Sequence, residues 1–158
     1  MAFTTFSGPV RSGTVRYGAG RNTGLAVLSQ SYNSGDLTGK TVGSSPYDTA
    51  AFIIPQGSQI IDIVVDQITA ATAGTTTVSV GNASGGAQLM AAVATTAGGR
   101  FRGTATAATQ AAWQTSTTAD TTVYVRYAVG TATLTAGQFI VTVVYVQRNS
   151  DGTQNPSS

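Results

Sequence analysis

The stretch "TTVYVRYAVG", residues 121–130, alternates with a period of two. Val123, Val125, Tyr127 and Val129 fall on one side, and Tyr124, Arg126 and Ala128 on the other. Only a strand gives such a pattern one coherent face, because successive side chains leave a pleated backbone in opposite directions. Three further segments share the rhythm. "GQFIVTVVYVQR" (137–148) aligns Phe139, Val141, Val143 and Tyr145, while Ile140, Val144 and Val146 make its second face largely apolar too. A strand apolar on both faces belongs at the centre of a sheet or beneath a neighbour. "SQIIDIVVDQIT" (58–69) sets Ile61, Ile63 and Val65 opposite Asp62, Val64 and Asp66, and "TTTVSVGN" places Val78 with Val80 before a Gly-Asn turn. Weaker signals at 51–54, 88–93 and 99–102, with "LAVLSQS" near the start, bring the count to about eight strands. "ATAATQAAWQT" (105–115) reads as a short helix or a loop with Trp113 as a core plug beneath it. No long helical period is present to build a βαβ sheet. The expected fold is all-β: an antiparallel β-sandwich or jelly roll.

The strands come with an unusual surface. Charged residues are 9% of the chain, against about 25% in an ordinary soluble domain. Histidine, cysteine and glutamate are absent, and Thr, Ser, Ala, Gly and Gln fill the places of charges. Such an exterior suits a protein that lies against other protein over much of its surface. It suits a stable extracellular β-protein equally well. With 158 residues, the chain needs no disulfide or metal staple, since a domain of about 150 residues buries roughly 68–70% of its unfolded surface.

The texture changes near residue 45. Residues 1–45 are expected to form an extended N-terminal arm and a first strand, residues 46–148 the β-sandwich body, and the polar residues 149–158 a flexible tail. The arm opens "SGPVRSGTVRYGAGRNTG" (7–24), in which Arg11, Arg16 and Arg21 stand five apart among glycines, with no acid nearby. Residues 1–35 carry these three cations and no Asp, which is +3. The remainder has five cations (Lys40, Arg100, Arg102, Arg126, Arg148) and six Asp, which is −1, so the total is the net +2 of the whole chain. The positive excess therefore sits entirely on the arm, and the near-neutral body offers no basic face for nucleic acid. The longest apolar run, "FIVTVVYV" (139–146), falls far short of the ~20 residues of a membrane helix, and "MAFTTFSGPVRSG" lacks the basic-then-apolar order of a signal peptide.

Catalytic chemistry finds little to work with. General acid–base catalysis draws on His, Glu or Asp, and only Asp is present. Asp62 and Asp66, four apart on a strand, would stand about 13 Å from each other, beyond the roughly 5–9.5 Å of a glycosidase carboxylate pair. Without His no serine triad forms. "GAGRNTG" (18–24) has the glycines of a phosphate loop but neither the following helix nor the Lys-Ser/Thr that completes one. Arg100 and Arg102 read as an exposed strand face with Phe101 turned inward. No enzyme activity, cofactor or metal is expected.

"FSGPVRSGTVRYGAG" followed by "LAVLSQ" resembles the opening of small structural proteins of tailed bacteriophages. The resemblance continues through "FIIPQGSQIIDIVVDQIT", "VSVGNASGGAQLMAA" and "VYVRYAVGTATLTAGQFIVTVVYVQ". The chain is similar over most of its length to phage head decoration, or cement, proteins. That resemblance implies a jelly-roll body, a homotrimer, a seat on the capsid exterior against the major capsid protein, and assembly in the host cytoplasm. On the arm, Phe3, Phe6, Val10, Arg11, Arg16, Tyr17 and Arg21 are the candidate partner-binding residues, with Tyr17, Tyr32 and the apolar second face of the last strand as candidates for the subunit interface. A tail-fibre, tail-knob or receptor-binding domain is the alternative, and would present an aromatic such as Trp113 at a loop tip.

Overall fold

A computed structural model of the chain describes residues 26–41, 47–72, 76–103, 106–115, 119–130 and 132–147. Eight strands and one short helix follow in order: β1 (Ala26–Asn33), β2 (Tyr47–Ile54), β3 (Gln59–Thr69), β4 (Thr77–Gly81), β5 (Met90–Ala94), β6 (Gly99–Arg102), α1 (Ala107–Ala112), β7 (Thr121–Ala128) and β8 (Gln138–Gln147).

The pairing obeys one rule. β1 pairs with β8, β2 with β7, β3 with β6 and β4 with β5, all antiparallel, so each pair of strand numbers sums to nine. This is one long hairpin bent at the β4–β5 turn. Winding it upon itself brings β3 beside β8 and β4 beside β7. Two four-stranded sheets result, β1-β8-β3-β6 and β2-β7-β4-β5. The molecule is a jelly roll.

Alternation holds where it was strongest in the sequence. Val123, Val125 and Tyr127 of β7 and Phe139, Val141, Val143 and Tyr145 of β8 are buried between the sheets. β8 lies between β1 and β3, the central position its two apolar faces demanded. β3 departs from the simple pattern. Its register against β8 shifts between Ile60 and Asp62, so one extra residue bulges out of the ladder. A bulge reverses the parity of everything before it. Ile60 therefore joins Ile63 and Val65 in the core while Ile61 is 46% exposed, the opposite of the side its spacing predicts. A second shift, between Gln67 and Thr69, leaves Ile68 without a ladder partner, on the outward side it already shares with Asp66.

The long β6–β7 connection contains the helix. Thr106 and Thr109 cap it reciprocally, each side chain bonding the other's backbone N–H, which satisfies two of the helix's orphan donors. The helix delivers Trp113 into the core, where its indole N–H donates to the Leu89 carbonyl at 2.8 Å. The backbone at Trp113 also accepts from Ile60 N–H at 2.9 Å. Gly103 lies under the ring, where a Cβ would come within 3.3 Å of it. At the opposite end the loops are stitched together. Leu37 N–H donates to Gly137, Gly39 N–H to Leu134 and Ala71 N–H to Thr95, while the Thr72 hydroxyl accepts from the backbone of Thr135 and Ala136.

Candidate functional site

The seven arm residues singled out from the sequence, Phe3, Phe6, Val10, Arg11, Arg16, Tyr17 and Arg21, lie outside the described residues. What the structure supplies is the surface beside which the arm joins the body. The chain enters β1 at Ala26, at an edge of its sheet and beside the last residue of β8, Gln147.

The two outer faces of the sandwich differ in chemistry. On the β1-β8-β3-β6 face the outward rows run Val27–Val146, Ser29–Val144–Asp62, Ser31–Thr142–Val64–Arg102 and Asn33–Ile140–Asp66–Arg100. Its centre is aliphatic, and its β6 side is bounded by two ion pairs. Arg100 meets Asp66 at 2.6 Å and Arg102 meets Asp62 at 3.6 Å. The two arginines are 62% and 65% exposed, so water screens both pairs and neither adds much to stability. The Asp66 hydrogen bonds, reinforced by its charge, hold the Arg100 guanidinium above its usual pKa. Phe101 between them turns inward against the core. An apolar centre with a polar rim is the anatomy of a protein interface.

The opposite outer face is polar and small. Its rows hold Asp48–Arg126–Ser79, Ala50–Tyr124–Gly81 and Ile53–Thr122. Arg126 donates to the Gly85 carbonyl and Ser84 to Asp48, tying the β4–β5 turn down across the face. The outward Val27, Val144, Val146 and Ile140 thus find no equal on this side.

Tyr32, a candidate for the subunit interface, is half-buried. It packs on the core with its ring 6.5 Å from that of Phe139, because it sits on the inward row of β1, opposite Val141. Trp113 is buried and offers no platform at a loop tip. A small cleft of about 120 Å³ opens between the β1 and β2 sides, lined by residues including Tyr32, Lys40, Thr49 and Tyr127. Ligand pockets run to about 300–1,000 Å³. Asp62 and Asp66 are each paired with arginine, and among the described residues no three His, Cys, Asp or Glu side chains converge to hold a metal ion. No described helix is long and apolar enough to cross a membrane.

The sequence signal for the outer face was the second apolar side of β8. The exposure of Val27 and Leu28 on β1 had no local signal, because "LAVL" reads the same in a buried strand as in an edge.

The two four-stranded antiparallel sheets, one with an aliphatic outer face, define a jelly roll. Solved structures carry the same fold in phage capsids. A chain in the capsid of Ralstonia phage GP4 is similar over 84% of this chain and 90% of its own, with a TM-score of 0.58 and 23% identity. A chain of the cyanophage Pam1 capsid asymmetric unit is similar over 89% and 96%, with a TM-score of 0.54 and 19% identity. One from the acid-stable capsid of Helicobacter pylori bacteriophage KHP30 covers 79% and 94%, with a TM-score of 0.53 and 12% identity. The sequence matches no protein-family model and no curated protein.

Proposed function

We propose that the protein is a structural component of a phage virion, a decoration or cement protein that sits on the outside of the capsid as a homotrimer and stabilises the shell without catalysing a reaction. The observation that carries this reading is the fold shared with three phage capsid chains over 90–96% of their lengths. The match spans nearly the whole of each of those chains. The charge-poor surface and the cationic arm point the same way.

The partner is the major capsid protein, reached by the N-terminal segment. A four-stranded face eight residues long covers only about 500 Å², less than the ~800 Å² per partner of a standard stable interface. The sandwich face alone is therefore a weak seat, and the arm adds what it lacks. Phe3, Phe6 and Val10 supply apolar anchors. Arg11, Arg16 and Arg21 supply charge-assisted hydrogen bonds to carboxylates or carbonyls, each about 1.5–3 kcal/mol when well made. Trimerisation multiplies such contacts by avidity. A protein that binds only the assembled lattice stabilises it by mass action, by about 2.7 kcal/mol per site when present at a hundred times its Kd.

Co-sedimentation tests the reading. The full-length protein is expected to pellet with heads lacking tails and not with isolated tails, and deletion of residues 1–24 is expected to lower head binding at least tenfold. Binding to tails alone, or undiminished binding by the truncated chain, overturns it. The burial of Trp113, with its N–H consumed by Leu89, counts against a tail-knob that recognises a host glycan.

A further inference from the structure

Four strand edges bound the two sheets, and three carry the devices that stop an edge from pairing with foreign backbone. Short length, charge, bulges and covered carbonyls all serve that end. β6 has four residues, two of them arginines. β5 has five, and a register shift interrupts its ladder with β4. β2 is bulged between Ala50 and Phe52, carries Asp48, and has its Ile53 carbonyl occupied by Gln30 Nε2 at 2.9 Å. Among the described residues, β1 shows none of them. Its eight residues, AVLSQSYN, hold no charge and no proline. Its register with β8 is unbroken from Ala26 to Asn33, and no strand pairs with its other edge among the described residues. Leu28, on the inward row opposite the buried Tyr145, is nevertheless 39% exposed, and Val27 beside it is 64% exposed. A long, regular, uncharged edge with uncovered aliphatic side chains is a template for another strand.

We propose that residues 13–17 of a neighbouring copy, "GTVRY", add to the free edge of β1 as a ninth strand. This rests on the reading that the protein is a trimeric decoration protein whose N-terminal segment engages other chains; residues 13–17 take a second copy as their seat, and the rest of the segment, with the outward Arg16, is left for the capsid protein. The two segments match row for row. In an added strand Val15 and Tyr17 share one row and Thr14 and Arg16 the other. On β1, Leu28 and Tyr32 face the interior while Ser29 and Ser31 face out. Val15 and Tyr17 would thus cover Leu28, and the hydroxyl and guanidinium would lie outside. The connection separates exchange from a simple fold-back. Hairpin loops have about 2–5 residues, whereas residues 18–25, "GAGRNTGL", make eight. Eight residues reach about 26–29 Å when extended, more than the roughly 19 Å across a four-stranded sheet, so the linker can pass to an adjacent subunit. Each copy then gives one strand and receives one, a head-to-tail contact that closes into a ring.

The chain has no cysteine, so introduced thiols report contacts without background. Chains carrying Val15→Cys are co-expressed with chains carrying Leu28→Cys, and one partner is tagged to separate the masses. A second pair, Thr14→Cys with Ser29→Cys, probes the outer row. Cross-strand neighbours stand about 4.5–5.5 Å apart, within disulfide reach. The expected result on mild oxidation is a mixed disulfide dimer from at least one pair, lost on reduction. Deletion of residues 1–17 is expected to convert trimer to monomer in light scattering. Cross-links that form only within a chain bearing both substitutions show the strand folding back on its own β1 and overturn the exchange. Full-length chains that pellet with heads, a truncated chain that does not, and no cross-link from either pair overturn this inference while leaving the proposed function standing.

Discussion

Trp113 ties three parts of the fold together. Its ring fills the end of the sandwich above Gly103, its N–H satisfies Leu89, and its carbonyl anchors the start of β3. Thr115 continues the clamp, with its N–H and hydroxyl both donating to the Ser58 carbonyl. Removing the ring leaves a cavity and an unpaired buried carbonyl. Trp113→Ala is expected to destabilise the fold by about 3–5 kcal/mol. In a thermal melt followed by circular dichroism that is a fall in Tm on the order of 10 °C. Circular dichroism is the appropriate probe because Trp113 is the only tryptophan, so the substitution removes the fluorescence signal itself.

At the scale of the element, β3 shows how a bulge overrules alternation. Ile61 and Ile63 are two apart and share a face in any regular strand, yet one is 46% exposed and the other fully buried. The pairing of Ile60 with Tyr145 and of Asp62 with Val144 leaves Ile61 without a partner in the ladder. The two isoleucines should therefore respond differently to the same change. Ile63→Ala is expected to cost about 2–5 kcal/mol, and Ile61→Ala to stay within about 0.5–1 kcal/mol of the parent. Urea unfolding measures both. Equal losses would mean that the strand runs regularly and the bulge is absent. β7 and β8 alternate without interruption, so the side each residue takes could be counted off from one end.

For the whole molecule, composition sets the response to pH. With no histidine, cysteine or glutamate, the chain lacks the side-chain types that ordinarily titrate near neutrality. Asp36 is held below its ordinary 3.8 by hydrogen bonds from the Thr38 side chain and then the Thr38 backbone N–H. A lowered folded value gives stability that is complete above the unfolded pKa and is lost as pH falls through the folded one. The melting temperature is therefore expected to stay level between about pH 5.5 and 8.5 and to decline only in acid, below about pH 4. Melts across that range check it, and a step near neutrality would contradict it. Strand identity, the inward rows of β7 and β8 and the buried role of Trp113 were all legible in the chain, because period-two alternation is a local property. The ladder that sums to nine, the outward turn of Ile61, the packing of Tyr32 against the core and, among the described residues, the unpaired edge of β1 were settled only in three dimensions. Each depends on which segment lies alongside, and pairing between strands distant in sequence leaves no mark on either strand alone.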